Sequence, residues 1–340
     1  MTAPIVRCLH RPKGAENACS QDQGWMQMSD FPIEFDLLRK EYGQFVAVDN
    51  LSLKIRKNSF TGLLGPNGAG KSTSLKILTN LIRATAGHAY INGYDVAQDT
   101  KAALEGVGTV VETPEFYSYL TPVETFRYVG ELFGMRKESI ASETAEILEK
   151  VKMTEWADKK VGTFSKGMKQ RVTLGLSLLN SPSVIILDEP TSGLDPRGMA
   201  EMRDILKNIR NDNNNLTVLM SSHMMHEVSD LCDRIAMINH GALVLEDNLE
   251  NVITDTDVRV IVVKPLNEPT DAMATAIESL PHVVSASRSG SDISVRFKGE
   301  VSDMPNLFRN LAQLDFPICS MSESANALED RYLSLIKESR

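Results

Sequence analysis

The amino-acid sequence predicts an α/β protein with a mainly parallel sheet, followed by a smaller region in which strands and helices are arranged differently. Short apolar segments alternate with helical stretches from Ile33 to about Glu250. A glycine-rich segment that begins at Gly65 lies between one of these strands and a helix. After Val252 this alternation ends. Strands that alternate with helices are typical of parallel sheets covered on both faces, because each helix returns the chain to the start of the next strand.

The first region supplies most of the predicted elements. Short runs of branched apolar residues predict strands, and apolar residues spaced three or four apart predict helices. The predicted strands are Ile33–Leu38, Leu51–Ile55, Phe60–Leu64, Val107–Val111, Val184–Leu187 and Thr217–Met220, with a closing hairpin of Ile235–Asn239 and Leu243–Glu246 around Gly241. The predicted helices are Ser72–Leu81, Val123–Phe133, Ser142–Val151, Lys169–Leu179, Ala200–Arg210 and Met225–Leu231. The successive helices between Glu112 and Ser181 predict a helical subdomain at about residues 113–180.

The region after Val252 follows a different order. Its predicted strands and helices are Val258–Val263, Asp271–Leu280, Val283–Arg288, Ile293–Phe297, Met304–Leu314, Ile318–Met321 and Leu328–Ile336. The first six follow the order β-α-β-β-α-β, which is typical of a small ferredoxin-like domain. This region contains no phosphate-binding loop and no run of basic residues. A packing or dimerisation module and a regulatory ligand-binding domain are therefore both open for it, with the first favoured.

The boundaries of the predicted domains follow from these changes in pattern. Residues 1–30 are polar and aperiodic, and we expect them to be a disordered lead. Residues 31–252 form the large domain, and residues 253–340 form a C-terminal accessory domain. The N-terminus lacks the apolar core of a signal peptide, and no stretch approaches the length of about 18 apolar residues that a membrane span needs. We therefore expect a soluble, intracellular chain, to which another polypeptide supplies any membrane part.

Composition excludes other classes of protein. The formal net charge is −9. Proteins that bind a nucleic-acid duplex usually need a basic surface, so nucleic acid is not an expected partner. The four cysteines are Cys8, Cys19, Cys232 and Cys319. They form no C-x-x-C pair, and Cys8, His10 and Cys19 match no standard zinc spacing, so we expect free thiols.

The segment from Gly65 to Ser72 reads G-P-N-G-A-G-K-S and matches the pattern G-x-x-x-x-G-K-[ST] between a predicted strand and a predicted helix. In such a loop, glycines allow backbone N–H groups to point at phosphate oxygens, and the following helix adds its positive end. Lys71 is expected to reach the β- and γ-phosphates, and the Ser72 hydroxyl is expected to bind Mg²⁺. The predicted nucleotide-binding residues here are Gly65, Pro66, Asn67, Gly68, Ala69, Gly70, Lys71, Ser72 and Thr73.

A second signal is the apolar strand Val184–Leu187, which ends in the paired acids Asp188 and Glu189. Taken alone, such acids are most simply explained as the solvated end of a strand. Together with the phosphate-binding loop they predict a Mg-nucleotide site. Asp188 is expected to orient the metal, and Glu189 is expected to activate the attacking water.

With these two motifs, the chain resembles the ATP-binding subunits of ABC transporters over about residues 33–250. The segment Phe164-Ser-Lys-Gly-Met168 is similar to the family signature, usually written LSGGQ, and keeps its serine (Ser165) and second glycine (Gly167). Asp195 ends a segment similar to the family's D-loop, and His223 matches the switch histidine that contacts the γ-phosphate. Tyr42 lies where the family places an aromatic ring against adenine, with a packing role as the alternative.

The resemblance implies the fold, the ligands and the partners. The expected fold is a P-loop NTPase of the ABC type, with a mainly parallel sheet, an antiparallel β part and a helical subdomain. The expected ligands are ATP and Mg²⁺. The expected partners are a separate transmembrane permease and a second ATP-binding subunit. In the family, the signature contacts ATP held by that second subunit in a head-to-tail dimer. The expected location is the cytoplasmic face of a membrane.

Glu112 is a departure from the family pattern, which usually has glutamine at this position. Its carboxylate is expected to reach Mg²⁺ or a water bound to it, and it adds negative charge near Asp188 and Glu189. Glu112, followed by Thr113-Pro114 and the aromatic pair Phe116 and Tyr117, resembles the exporter branch associated with antibiotic and lantibiotic self-protection. This favours export over import.

Two other functions compete with transport. One is a non-transport ATPase of the same superfamily acting in translation or DNA maintenance. The translation type usually carries two ATPase halves, and the DNA type needs long coiled coils, whereas this chain has one phosphate-binding loop and no sustained heptads. The other is a GTPase or kinase, in which the segment around Ser165 and His223 has no role. The sequence does not identify the cargo.

Overall fold

The computed structural model describes residues 30–112, 115–212, 215–254, 258–299 and 301–323. Its strands are β1 (Ile33–Tyr42), β2 (Phe45–Ile55), β3 (Phe60–Leu64), β4 (Ala86–Ile91), β5 (Tyr94–Asp95), β6 (Val107–Val110), β7 (Val184–Asp188), β8 (Thr217–Ser222), β9 (Arg234–Asn239), β10 (Ala242–Asn248), β11 (Val258–Pro265), β12 (Val283–Ser289), β13 (Asp292–Lys298) and β14 (Ile318–Glu323). Its helices are α1 (Lys71–Leu78), α2 (Thr100–Ala103), α3 (Pro122–Leu132), α4 (Lys137–Lys150), α5 (Lys166–Leu178), α6 (Pro196–Asp212), α7 (Met225–Leu231), α8 (Leu249–Thr254), α9 (Asp271–Glu278) and α10 (Met304–Leu311). The predicted lead, apart from Asp30, and the predicted helix Leu328–Ile336 lie outside the described residues.

The large sheet has the strand order β10-β9-β3-β8-β7-β6. The pairs from β9 to β6 are parallel, and β10 closes the edge as an antiparallel hairpin with β9. The strand β3 and the apolar part of β7 are buried throughout. Strands covered on both faces read as continuous apolar runs, which explains why both were visible in the sequence. The predicted mainly parallel sheet is confirmed.

This sheet brings the ends of β3, β7 and β8 to one edge, because neighbouring parallel strands end on the same side. Strand β8 lies between the other two, with Ser222 opposite Leu64 and Ser221 opposite Asp188. The segments that follow these strands begin with Gly65, Glu189 and His223. The large sheet therefore brings together three segments that are far apart in the sequence.

A second sheet is antiparallel and has the order β2-β1-β4-β5. Its apolar residues, among them Ile33, Phe35 and Leu51, form one buried cluster with Leu75 and Leu78 of α1. Strands β1 and β2 contain the predicted segments and extend them, whereas β4 and β5 were not predicted. The sheet packs behind the helix that follows the phosphate-binding loop, and so supports it.

The helices between β6 and β7 pack against each other and against the large sheet. Helix α3 begins at a capping box in which the Thr121 hydroxyl accepts a hydrogen bond from Glu124 N, and the Glu124 carboxylate accepts one from Thr121 N. Phe126 of α3 is fully buried against α5 at Gly175, where an added Cβ would lie 2.9 Å from the phenyl ring. Close packing at this glycine orients α5, which carries the signature segment at its start.

The C-terminal sheet has the order β12-β13-β11-β14, and each neighbouring pair is antiparallel. The chain order β11-α9-β12-β13-α10-β14 confirms the predicted β-α-β-β-α-β sequence of elements. Its apolar side chains form a cluster of their own, which includes Ile261, Ile277, Phe297 and Leu307. None of the helices in the described part of the chain combines the length and apolar character needed to cross a bilayer.

Candidate nucleotide site

The phosphate-binding loop connects β3 to α1 and depends on two glycines. Gly70 has φ of +101°, and an added Cβ there would lie 2.5 Å from the carbonyl oxygen of Ala47. At Gly65 an added Cβ would lie 2.4 Å from the carbonyl oxygen of Ile238. Any larger residue at these positions would displace the neighbouring backbone. Ala69 is bound to the β9–β10 turn by a hydrogen bond from Gly241 N to Ala69 O of 3.0 Å.

Lys71 begins α1, and only 4% of its side chain is exposed. Its ammonium donates hydrogen bonds to the carbonyl oxygens of Gly65 at 2.8 Å and Pro66 at 3.2 Å. Burial lowers the pKa of Lys71, and the nearby carboxylates of Glu189 and Asp188 act in the opposite direction. The ammonium thus lies inside the loop. A phosphate group is a stronger partner for it than neutral carbonyl oxygens.

Asp188 is the centre of a group of hydroxyls. Its Oδ1 atom accepts hydrogen bonds from Ser72 Oγ at 3.0 Å and from Ser221 Oγ at 2.6 Å. A hydroxyl and a carboxylate are hard oxygen ligands of the kind that Mg²⁺ prefers. In the described part of the chain, no group of three or more His, Cys, Asp or Glu residues is placed to hold a metal. This donor set fits Mg²⁺, which usually keeps several waters and takes other ligands from substrate phosphates.

Glu189 follows directly and lies between two basic groups. Its Oε1 atom is 3.6 Å from Lys71 Nζ, and its Oε2 atom is 3.2 Å from His223 Nδ1. The backbone of Glu189 has φ of +44°, in the left-handed region that non-glycine residues rarely adopt. A hydrogen bond of 2.9 Å from Glu189 N to Ser221 Oγ holds this conformation. The carboxylate is three-quarters buried and is placed beside the phosphate-binding loop.

Glu112 follows β6 and also has a left-handed backbone, with φ of +72°. Its carboxylate forms an ion pair with Lys76 of α1 and is mostly exposed. Lys76 lies in the last turn of α1, one turn after Ser72, so Glu112 is located beside the C-terminal half of this helix. The structure pairs Glu112 with this lysine rather than with the hydroxyls around Asp188.

Tyr42 ends β1 and is half exposed. It pairs across the hairpin with Phe45, and Lys40 Nζ lies 5.0 Å from the centre of its ring. Two residues after Phe45, the Ala47 carbonyl oxygen packs against Gly70. The hairpin that carries the Tyr42 ring is therefore anchored beside the phosphate-binding loop, with the ring accessible.

Ser165, Gly167 and Asp195 lie on separate elements. Ser165 caps α5, where its hydroxyl accepts a hydrogen bond from Met168 N at 3.3 Å. The space beside Gly167 is open, since the atom nearest to an added Cβ is Leu194 Cδ2 at 3.8 Å. The Asp195 carboxylate accepts from Gly198 N at 3.1 Å and so caps α6. Among the described residues, no hydrogen bond or ion pair joins Ser165 or Gly167 to the phosphate-binding loop.

The structure therefore brings five of the predicted residues into one connected group: Lys71, Ser72, Asp188, Glu189 and His223. Ser221 links Asp188 to Glu189 and was not predicted as part of the site. The sequence carried one signal for it, since Ser221 is a hydroxyl residue at the end of a strand, two residues before His223. Its contact with Asp188 depends on the register between β7 and β8, which a single sequence does not specify.

A phosphate-binding loop at the end of a parallel strand, beside a pair of carboxylates on a neighbouring strand, defines a P-loop nucleoside triphosphatase. The family model described as ABC transporter matches residues 48–192. The uncharacterized ABC transporter ATP-binding protein YdbJ of Bacillus subtilis is 31% identical over 306 residues, which are 90% of this chain and 96% of YdbJ. The bacitracin transport ATP-binding protein BcrA of Bacillus licheniformis is 38% identical over 209 residues, which are 62% of this chain and 67% of BcrA.

A solved structure supports the same class. The dimeric structure of MJ0796, a bacterial ABC transporter cassette, has a TM-score of 0.57 and 26% identity, and the match covers 64% of this chain and 98% of that chain. This chain therefore belongs to the ATP-binding subunits of ABC transporters, and it is an ATPase whose hydrolysis is coupled to transport. Subunits of this family dimerise and work with membrane permeases. A role in translation or DNA maintenance is not favoured.

Proposed function

We propose that this chain binds Mg-ATP at the carboxyl edge of its large sheet and hydrolyses it with Glu189 as the general base. The convergence of Lys71, Asp188, Glu189 and His223 within hydrogen-bonding or ion-pair distance supports this most directly. Lys71 and the loop N–H groups bind the phosphates. Glu189 takes a proton from the attacking water. His223, beside Glu189, contacts the γ-phosphate and orients it relative to that water.

Ser72 and Asp188 are the residues that hold Mg²⁺ in this proposal, with Glu112 as a further ligand for a metal-bound water. When bound, Mg²⁺ neutralises charge on the β- and γ-phosphates. The Ser72 hydroxyl and Asp188 already lie together, so the metal needs little rearrangement there. Glu112 must break its ion pair with Lys76 before it can bind the metal-bound water, and breaking that pair costs free energy. Tyr42 stacks against the adenine ring.

The complete site is shared by two subunits. Ser165, Gly167 and Asp195 contact ATP bound by the phosphate-binding loop of a partner subunit in a head-to-tail dimer. This is supported by the exposed start of α5, where Gly167 leaves open space and the helix end favours an anion. The partner is a second copy of this chain or a different ATP-binding subunit, and each subunit contributes one phosphate-binding loop and one signature segment.

The transport reaction is export through a separate permease, and this chain associates with the cytoplasmic face of the membrane. The name of the relative BcrA, a bacitracin transport protein, supports a cargo of the antibiotic class. Glu112 at the position where glutamine is usual supports the same branch. The C-terminal β-α-β-β-α-β region, residues 253–340, is an accessory domain for packing or dimerisation.

Glu189→Gln tests the assigned chemistry. The amide keeps the size of the side chain but cannot take a proton, so we expect turnover to fall by roughly 10²–10⁴-fold while Mg-ATP binding is retained. The trapped ATP stabilises the dimer, which size-exclusion chromatography detects. Glu149→Gln, at an exposed position on α4, is the matched control. Hydrolysis by the Glu189 variant at the wild-type rate excludes Glu189 as the base.

A further inference from the structure

Glu227 of α7 is a buried carboxylate that the proposed reaction does not use. Only 1% of the residue is exposed. Its Oε1 atom accepts a hydrogen bond from the Thr191 hydroxyl, and its Oε2 atom accepts one from the Ser222 hydroxyl at 2.7 Å. Thr191 and Ser222 are each 1% exposed as well. Burying a carboxylate is unfavourable unless its oxygens are hydrogen-bonded, so this arrangement depends on both hydroxyls.

The two hydroxyls belong to the segments that carry the proposed chemistry. Thr191 comes two residues after Glu189, and Ser222 directly precedes His223. Ser222 Oγ also accepts a hydrogen bond from Met224 N at 2.9 Å, which fixes the backbone on the other side of His223. One carboxylate thus connects the segment after β7 to the end of β8, directly before His223. Ser221, also near the end of β8, forms a second connection through its hydrogen bonds with Asp188 and Glu189.

We propose that Glu227 is a positioning residue that sets the distance between Glu189 and His223. These two residues follow different strands, and the distance of 3.2 Å between His223 Nδ1 and Glu189 Oε2 depends on how the two strand ends are held together. Glu227 holds the two strand ends together through its hydrogen bonds with Thr191 and Ser222. The proposal rests on the roles proposed above for Glu189 and His223. Small displacements in such a group are costly, because a shift of about 1 Å lowers a rate by roughly 10²-fold.

Glu227→Gln is the first test, because it keeps the shape of the side chain and removes its charge. The amide has one acceptor oxygen in place of two, so one of the two hydroxyls loses its acceptor. We expect kcat to fall at least about tenfold, while KM for ATP stays within about twofold, since the phosphate-binding loop is untouched. Glu149→Gln is the matched control. Thr191→Val removes one hydrogen-bond donor to Glu227 and keeps the size of the side chain. We expect the same fall in kcat with KM nearly unchanged, and this variant tests the proposal if Glu227→Gln fails to fold.

A double variant separates positioning from general stabilisation. If Glu227 acts through His223, adding Glu227→Gln to His223→Ala lowers kcat no further. An equal fold-loss in both backgrounds, or wild-type kcat in Glu227→Gln, overturns the proposal. A rise in KM as large as the fall in kcat does so too, since it places the effect on ATP binding. Wild-type turnover in His223→Ala alone instead refutes the proposed function of His223, and any loss from Glu227→Gln then has another cause.

Discussion

Replacing Ser221 by alanine removes a single oxygen that holds the two acids after β7. The hydroxyl is fully buried, donates to Asp188 Oδ1 at 2.6 Å and accepts from Glu189 N at 2.9 Å. A hydrogen bond to a charged group contributes about 1.5–3 kcal/mol, and one between neutral groups about 0.5–1.5 kcal/mol. Together they amount to about 2–4.5 kcal/mol, so if the loss falls on the hydrolytic step, kcat decreases by about 30- to 2000-fold.

Steady-state hydrolysis of ATP, measured over a range of Mg²⁺ concentrations, tests this prediction. We expect Ser221→Ala to lower kcat and to require more Mg²⁺ for half-maximal rate, because Asp188 loses one of the two hydroxyls that orient it. Ser229→Ala is the matched control, since that hydroxyl is exposed and donates to the carbonyl oxygen of Met225 in α7. If Ser221→Ala keeps the kcat and the Mg²⁺ requirement of the control, the hydrogen bonds of Ser221 do not position the site.

Two further predictions concern binding and domain organisation. Lys71→Ala removes the only buried ammonium that lines the described loop, and we expect ATP affinity to fall by about 10- to 150-fold in a calorimetric titration. Unchanged affinity contradicts its role. A chain that ends at Thr254 keeps the large domain as we propose it, and we expect this truncated chain to unfold cooperatively and bind Mg-ATP with unchanged affinity. Loss of binding in a folded truncated chain shows that the C-terminal region completes the site.

Short patterns in the sequence predicted two parts of the fold. One is the set of strands buried on both faces, which appear as continuous apolar runs, and the other is the glycine-rich loop. The bounds of β3 and α7 agree with those predicted from the sequence. The loop Gly65–Ser72 was predicted because its glycines and lysine are consecutive. By contrast, β4 (Ala86–Ile91) contains alanine, glycine and histidine, and its regular structure depends on pairing with β1, far away in the sequence. Such segments have little apolar periodicity to detect.

The residues of the candidate site also fall into those that the sequence predicted and those that it did not. Lys71, Asp188, Glu189 and His223 each follow a recognisable strand, so the sequence placed them at one edge of the sheet. Ser221 and Glu227 were not predicted as part of the site, because their contacts depend on strand register and on how α7 packs.

Glu112 shows a further limit of sequence reasoning. Its partner Lys76 lies on another element, and nothing near either residue in the sequence pairs them. Whether Glu112 exchanges Lys76 for a metal-bound water stays a prediction.

A dimer of two different variants tests the shared site most directly. One subunit carries Lys71→Ala and the other carries Gly167→Asp, each with its own affinity tag so that only mixed dimers are purified. Single-turnover hydrolysis is measured, so that one intact site is sufficient. In a head-to-tail dimer both substitutions fall in the same site and the second site is intact, so the mixed dimer hydrolyses ATP faster than either parent homodimer. Activity no higher than in those homodimers contradicts a site built from two subunits.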